Sequence, residues 1–283
     1  MQFFGDLFRY PFLQFAMAAA VLSSVSSGIV GSLIVVRRST YIAGAISHCV
    51  LGGLGAARYF QVVHGATWFS PMLGALVAAL AAACIIAWAT VYAKERVDSV
   101  LSIVWALGMA IGVTFIMKTP GYSQDLMSYL FGSILMVSPS DLVLMGILDG
   151  IVVLAVFLFY NQILAVCFHE EAARVRGVPV ARITFLMIIV TAITIVLLSQ
   201  VVGVVLVIAL LSMPAATVSR FTNRLSTMMV AAALMSLLAI VGGLIVSYEP
   251  ELPAGATIIQ IAGVCYIAVL VLGGIIRRRP AAR

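Results

Sequence analysis

Charge is what this chain lacks most. Only 9% of its 283 residues are Asp, Glu, Lys or Arg. A soluble domain of this length needs a polar exterior, and this composition has too few charged groups to make one. Lysine is almost missing: Lys94 and Lys118 are the only two. Neither closes the glycine-rich pattern of a nucleotide-binding loop, so ATP hydrolysis by that route is excluded and no enzymatic activity is expected of the chain itself. No H-E-x-x-H, G-x-S-x-G or intramembrane carboxylate pair occurs, which removes the support for an intramembrane protease or hydrolase. Cys49, Cys84, Cys167 and Cys265 stand alone without C-x-x-C spacing. They read as small packing residues, not as a disulfide or a thiolate metal site. The first ten residues lack a basic segment leading into a short apolar core, so no cleaved signal peptide is expected. Their three phenylalanines suggest an interfacial segment.

What the chain has in abundance is apolar length. Hydrophobic residues make up 64% of it, and the mean hydropathy is +1.20. Segments able to cross about 30 Å of hydrocarbon need roughly 20 residues. Nine candidates lie near 11–36, 41–62, 68–92, 98–117, 140–166, 181–199, 200–219, 225–248 and 256–276. Ser199 and Gln200 alone mark the turn between the sixth and seventh, and Pro214 interrupts the hydrogen-bond ladder of the seventh. Eight spans plus half-helices is the alternative. The apolar stretch 126–137 is too short to cross and reads as a half-helix. The fold class is therefore all-α: one polytopic membrane bundle over 1–283, with eight or nine transmembrane helices.

Basic residues set the orientation. Placing Arg37-Arg38, Lys94-Arg96, the island 167–182, Arg220-Arg224 and the C-terminal arginines in the cytoplasm leaves only Arg9, Arg58 and Lys118 outside. Alternation through nine spans satisfies this with the N-terminus outside. The net charge of +6 thus serves topology and contact with lipid; it gives no reason to expect nucleic-acid binding.

Residues 167–179 form a polar island. Glu170 and Glu171 open it, and Arg174 and Arg176 lie near its end, an order that suits a short helix dipole. Glu170 and Arg174 are spaced i,i+4. Gly177 can close the helix in a left-handed conformation, and Pro179 forbids its continuation. A membrane protein with one compact, capped polar helix offers it to another protein. The docking candidates are Glu170, Glu171, Ala172, Arg174 and Gly177.

His48 is the ionisable residue that stands out inside a span. At membrane depth such a group faces a pathway or a partner, and neutral imidazole binds zinc and other borderline metals. A histidine bonded to a neighbouring helix is an equal alternative. Its neighbours Gly44, Ala45, Ser47, Gly52, Gly53 and Gly55 allow close helix approach or room for an ion. Asp149 lies inside the fifth span, as a weaker pathway candidate or a paired bundle residue. Glu249 and Glu251, in the last outward loop, are weak candidates for attracting cations or an external partner. Gly108-x-x-x-Gly112 reads as helix packing.

Taken in order, Val35-Val-Arg-Arg-Ser39 with Ala45-Ile-Ser-His48, Tyr129–Leu135, Phe168–Pro179, Val202–Thr217 and Pro253–Thr257 resemble the permease subunits of ABC importers for zinc, manganese and iron. The resemblance implies a path formed by two permeases, the second a copy or a paralogue. It implies cytoplasmic ATPases docked on the coupling helices and an extracytoplasmic metal-binding protein. The protein would sit in the bacterial cytoplasmic membrane, carry a divalent metal and hold no permanent cofactor. Many members carry Asp four residues before the histidine, where this chain has Gly44. A following proline is Gly52, and a coupling-loop Asp is His169. Losing a hard carboxylate favours zinc over manganese by ligand type. A permease for a metal chelate and a secondary metal transporter are the competing readings.

Overall fold

The computed structural model describes residues 2–93, 95–120, 132, 134–204, 207–250 and 252–277. Among them all regular structure is helical: α1 (Gln2–Arg9), α2 (Pro11–Val36), α3 (Thr40–His64), α4 (Pro71–Trp88), α5 (Val97–Lys118), α6 (Pro139–Leu158), α7 (Tyr160–Phe168), α8 (Glu170–Val175), α9 (Val180–Val202), α10 (Val207–Val218), α11 (Leu225–Tyr248) and α12 (Ala254–Arg277). A π-helical turn, Ala89–Ala93, extends α4. Eight of these elements are long and apolar enough to cross a membrane.

Local chemistry sets several helix ends. Pro11, Pro71 and Pro139 occupy first helical positions, where a missing N–H costs nothing. Ser70 accepts from the Leu73 N–H at 3.2 Å. Ser138 and Asp141 form a capping box: the Asp141 N–H donates to Ser138 Oγ at 3.3 Å, and the Ser138 N–H donates to Asp141 Oδ2 at 3.1 Å. Tyr248 Oη donates to Asp6 Oδ2 at 3.0 Å, fastening α1 to the end of α11.

Two expected spans change form. The fifth, 140–166, divides at Phe159 (φ −104°, ψ 14°) into α6 and α7. The boundary set at Ser199-Gln200 moves to Gly203, whose φ of +79° suits glycine and ends α9. Ser199 stays helical because its hydroxyl donates to the Val196 carbonyl at 2.7 Å instead of opening a turn. The seventh span is then the twelve-residue α10, which runs through Pro214. The hydroxyls of Ser212 and Thr217, on either side of that proline, donate to the carbonyls of Ile208 and Met213, each at 2.7 Å.

The alternation of the chain survives this shortening. Ala215 and Met228 form a buried cluster with Val35, Val36 and Val218, so α10 ends and α11 begins beside the end of α2. Arg37 reaches Thr184 near the start of α9 and Glu170 of α8. The same arginine lines a cavity with Thr90, Val97 and Asp98. The basic turns at 37–38, 96, 169–182 and 220–224 therefore gather at one end of the bundle, which the positive-inside rule makes cytoplasmic. The half-helix expected at 126–137 lies almost wholly outside the described residues; a 3₁₀ turn, Ile134–Met136, is what is described of it.

Helix α3 sits at the centre of its half of the bundle because its glycines let backbones meet. A Cβ on Gly53 would run into the Gly74 carbonyl of α4, and one on Gly108 would strike Cys49. Gly52 faces Gly108 and Gly112 of α5 in the same way. Close packing replaces the hydrophobic effect as the force that joins helices in lipid, so these small residues hold the seam.

Candidate functional site

Two regions carry polar chemistry. The first surrounds His48, which the α3–α5 seam brings against Trp105. The imidazole and indole rings stack with centroids 4.4 Å apart and planes 18° from parallel. Gly44 lies one turn earlier on α3. A Cβ there would be 3.2 Å from Trp105 Cζ3 and 3.3 Å from the Ile208 δ-methyl of α10. Cys49, the next residue, meets the same helix and donates its thiol to the Val104 carbonyl at 3.3 Å. Trp105 also lines an open cavity of about 450 Å³ with Tyr41, Asp98, Leu101 and Ser102. Tyr41, Asp98 and Leu101 line a second cavity, of about 270 Å³, together with Arg37, Arg38, Ser39, Thr184 and Thr191. The two cavities thus adjoin through Tyr41, Asp98 and Leu101, between Trp105 and the basic end of the bundle. The donors near this stack are the imidazole of His48 and, lining the adjoining cavities, the carboxylate of Asp98; the glycines around His48 are spent mainly on packing, not on room for an ion.

Asp149 is buried at 6% exposure, on α6. Its side chain neighbours the Ser26 hydroxyl of α2, and its Oδ1 has no hydrogen-bond partner among the described residues. Helix α6 packs on α2 and α9, whereas α3 packs chiefly on α5 and α4. Among the described residues no three of His, Cys, Asp and Glu gather into a metal cluster, so Asp149 and His48 are not joined in one. Glu249 caps the end of α11 at the opposite end of the bundle and is exposed; Glu251 lies outside the described residues.

The second region is the polar island, and the helix expected there forms. Glu170 and Glu171 occupy its first turn and Arg174 its last. Arg174 Nη2 donates to Glu170 Oε1 at 3.4 Å. Gly177 adopts φ +77° and donates its N–H to the Arg174 carbonyl at 3.1 Å, while Val178 bonds back to Ala173 at 3.0 Å. Side-chain exposure divides the helix. Ala173 is buried against the bundle; Glu171, Ala172 and Val175 point out, and Val175 is 89% exposed. Phe168, three residues before Glu171, is exposed as well. Glu171, Ala172 and Val175 lie on one face of α8 at helical spacing, and Phe168 ends α7 just before the non-helical His169 (φ −147°, ψ 77°).

Glu170 does something the local sequence does not announce. Its Oε2 lies 3.7 Å from Arg37 Nη2, at the turn joining α2 to α3. Arg37 also donates to Thr184 Oγ1 at 3.3 Å and approaches Met187 Sδ at 3.7 Å, both on α9. The next residue, Arg38, has φ +54°, a left-handed conformation rare for a side-chain-bearing residue. Glu170 therefore ties the island helix to the turn that begins the His48 helix. The ion pair spans 133 positions of sequence, which is why spacing alone does not find it.

Comparison with known proteins decides the family. The ABC 3 transport family model matches residues 9–273. The chain belongs to the ABC 3 transport family. It is 37% identical over 265 residues to a "Probable metal transport system membrane protein" of Chlamydia pneumoniae, covering 94% of this chain and 90% of that one. It is 33% identical over 265 residues to the manganese transport system membrane protein MntC of Halalkalibacterium halodurans, covering 93% and 88%. Among solved structures it is similar to PsaBC from Streptococcus pneumoniae in complex with Fab, at TM-score 0.82 and 29% identity, with 95% of this chain and 94% of that one covered. Membership in this family and eight membrane-crossing helices make the chain a multi-pass protein of the bacterial cytoplasmic membrane.

Proposed function

We propose that this chain is the membrane-spanning subunit of an ATP-driven importer for a divalent transition metal ion, working with cytoplasmic ATPases, an extracytoplasmic metal-binding protein and a second permease. The observation that carries the reading is the α7–α8 corner of a family member: outward-facing Phe168 at the end of α7 and Glu171, Ala172 and Val175 on α8, all at the basic end, with an inward tie through Glu170 to Arg37. An exposed apolar pair beside a carboxylate is a surface for another protein. Helices α5 and α6 leave most of their surface uncovered, unlike α3, and Ser102, Trp105 and Met109 lie on the open side of α5. Such a surface suits a second permease closing the path. His48 serves as the ligand that the ion meets on its way, and the adjoining cavities beside Trp105 and Arg37 supply the exit.

The test is uptake of labelled zinc, manganese and ferrous iron into vesicles holding this chain with its ATPase and binding protein. Uptake that requires ATP supports the reading and identifies the ion. Uptake that ignores ATP and follows an ion gradient replaces it with a secondary transporter. Hydrolysis of ATP without uptake of any of the three replaces it with a permease for a metal chelate.

A further inference from the structure

Helix α9 is sealed along its second half and open near its start. From Val190 to Ser199 every residue is buried, whereas Phe185, Leu186 and Ile189 are only half-buried. These three line an open groove of about 600 Å³, with Phe159 and Gln162 on the other wall. Pro179 and Arg182, at the start of α9, stand at its cytoplasmic end. No acidic residue lines the groove. Arg182 is exposed, and among the described residues its side chain makes no hydrogen bond or ion pair. Arg37 and Arg174, by contrast, are both paired with Glu170. The backbone adds to the positive end. Helix α9 starts without a side-chain cap. Of its first three N–H groups only that of Val180 meets a carbonyl among the described residues, that of Val178 at 2.8 Å, and those of Ala181 and Arg182 are left over. A helix start in this condition attracts anions.

We propose that this groove binds an anionic phospholipid of the inner leaflet, with the phosphate at Arg182 and an acyl chain along Phe159, Phe185, Leu186 and Ile189. Depth and polarity agree. Arg182 lies at the end that the basic residues place in the cytoplasm, where the headgroups are. Ile189 is seven residues further along α9, about 10 Å at the rise of a helix, so the apolar walls run into hydrocarbon. Gln162 is the one uncharged polar side chain of the lining, and its amide can donate to an ester carbonyl of the glycerol. A guanidinium and a helix start with no carboxylate beside them favour a headgroup of net negative charge over a zwitterion. The walls belong to α7 and α9, the helices on either side of α8 in the chain, so a lipid seated here braces the island. The inference goes beyond the importer reading and does not rest on it.

The test is lipid binding by the full chain in detergent, alone and in its assembled complex, read by native mass spectrometry and thermal unfolding. The probes are phosphatidylglycerol, phosphatidylcholine and inorganic phosphate. Phosphatidylglycerol should bind and raise the unfolding temperature. Phosphatidylcholine should do so less, and inorganic phosphate, which has no chain, should do neither. Arg182→Ala should weaken phosphatidylglycerol roughly tenfold, the loss of one hydrogen bond to a charged group. Arg182→Lys should keep most of the affinity. Leu186→Trp fills the groove and leaves the arginine, so it should weaken both lipids. Arg220→Ala, at another exposed arginine of the same end, should change nothing. Undiminished phosphatidylglycerol binding in Arg182→Ala, equal affinity for the two lipids, or an equal loss in Arg220→Ala would overturn the proposal. Stabilisation by inorganic phosphate as strong as by the lipid would replace it with a plain anion site. Binding to the chain alone that vanishes in the complex would assign the groove to a partner subunit instead.

Discussion

The cytoplasmic island and the His48 pocket are held by opposite means. The island is fastened by charge: Glu170 sits between Arg174 and Arg37, and Arg37 reaches on to Thr184 and Met187. These partners are partly exposed, with side-chain exposures of 22% for Arg37 and 47% for Glu170. Such pairs contribute little each and yield easily. The pocket is held by backbone contact: Gly52 and Gly53 place α3 directly on α5 and α4, and one stacked ring pair finishes it. Packed glycine seams do not yield gradually, because any atom added at them meets backbone. The difference suits the importer proposed above, in which the island would be pushed while α3, with its proposed ligand His48, would move as one body. The Arg37–Glu170 pair joins the two regions at the turn before α3.

The largest expected effect is on the pocket. His48→Ala should remove most metal uptake while the complex still assembles and hydrolyses ATP, as measured by vesicle uptake beside phosphate release. Gly53→Val comes next and acts on the frame. Overpacking a close-packed interior costs about 1–3 kcal/mol, and here the added atoms meet the Gly74 backbone. Thermal unfolding of the detergent-solubilised chain should shift down by several degrees. Gly108→Ala should behave likewise, because Cys49 lies in the way.

The island should respond more finely, and its two glutamates should separate. Glu171→Lys changes an outward residue and should weaken ATPase binding in a pull-down. Glu170→Lys should leave that binding largely intact but lower the uptake per ATP hydrolysed. A partly exposed ion pair is worth about 0.2–1 kcal/mol, so the coupling loss should be only a few-fold. Exchanging the charges in Arg37→Glu/Glu170→Arg should restore part of it. Equal effects of both glutamates on ATPase binding would erase the distinction drawn between the two faces of α8. The smallest effect is expected at Ser138→Ala, which removes a capping box far from both regions and should cost about 1 kcal/mol of stability without altering uptake per ATP.

Much of this architecture is written locally. Apolar runs place the spans, and Glu170, Arg174, Gly177 and Pro179 mark both ends of α8 before any contact is known. The Ser138–Asp141 box is equally local, since a serine followed three residues later by a carboxylate can cap a helix start by itself. What stays hidden is set by tertiary packing. Gly203, not Ser199-Gln200, ends α9, because a serine in an apolar helix can satisfy its hydroxyl on its own carbonyls. Pro214 remains helical for a similar reason, with hydroxyls on both sides of it. Small residues around His48 are compatible with an ion or with a neighbouring backbone; only the positions of α4 and α5 assign most of them to packing. Trp105 and Arg37 carry no local sign of their partners, since stacking and ion pairing between distant helices leave no periodicity behind.

The central claim is that His48 lies on a path driven through the island helix. The most direct measurement is the number of metal ions taken up per ATP hydrolysed, compared between the wild-type chain and His48→Ala in the same vesicles. The account predicts that uptake falls sharply while ATP hydrolysis continues, so the ratio collapses. An unchanged ratio would contradict it and remove His48 from the path.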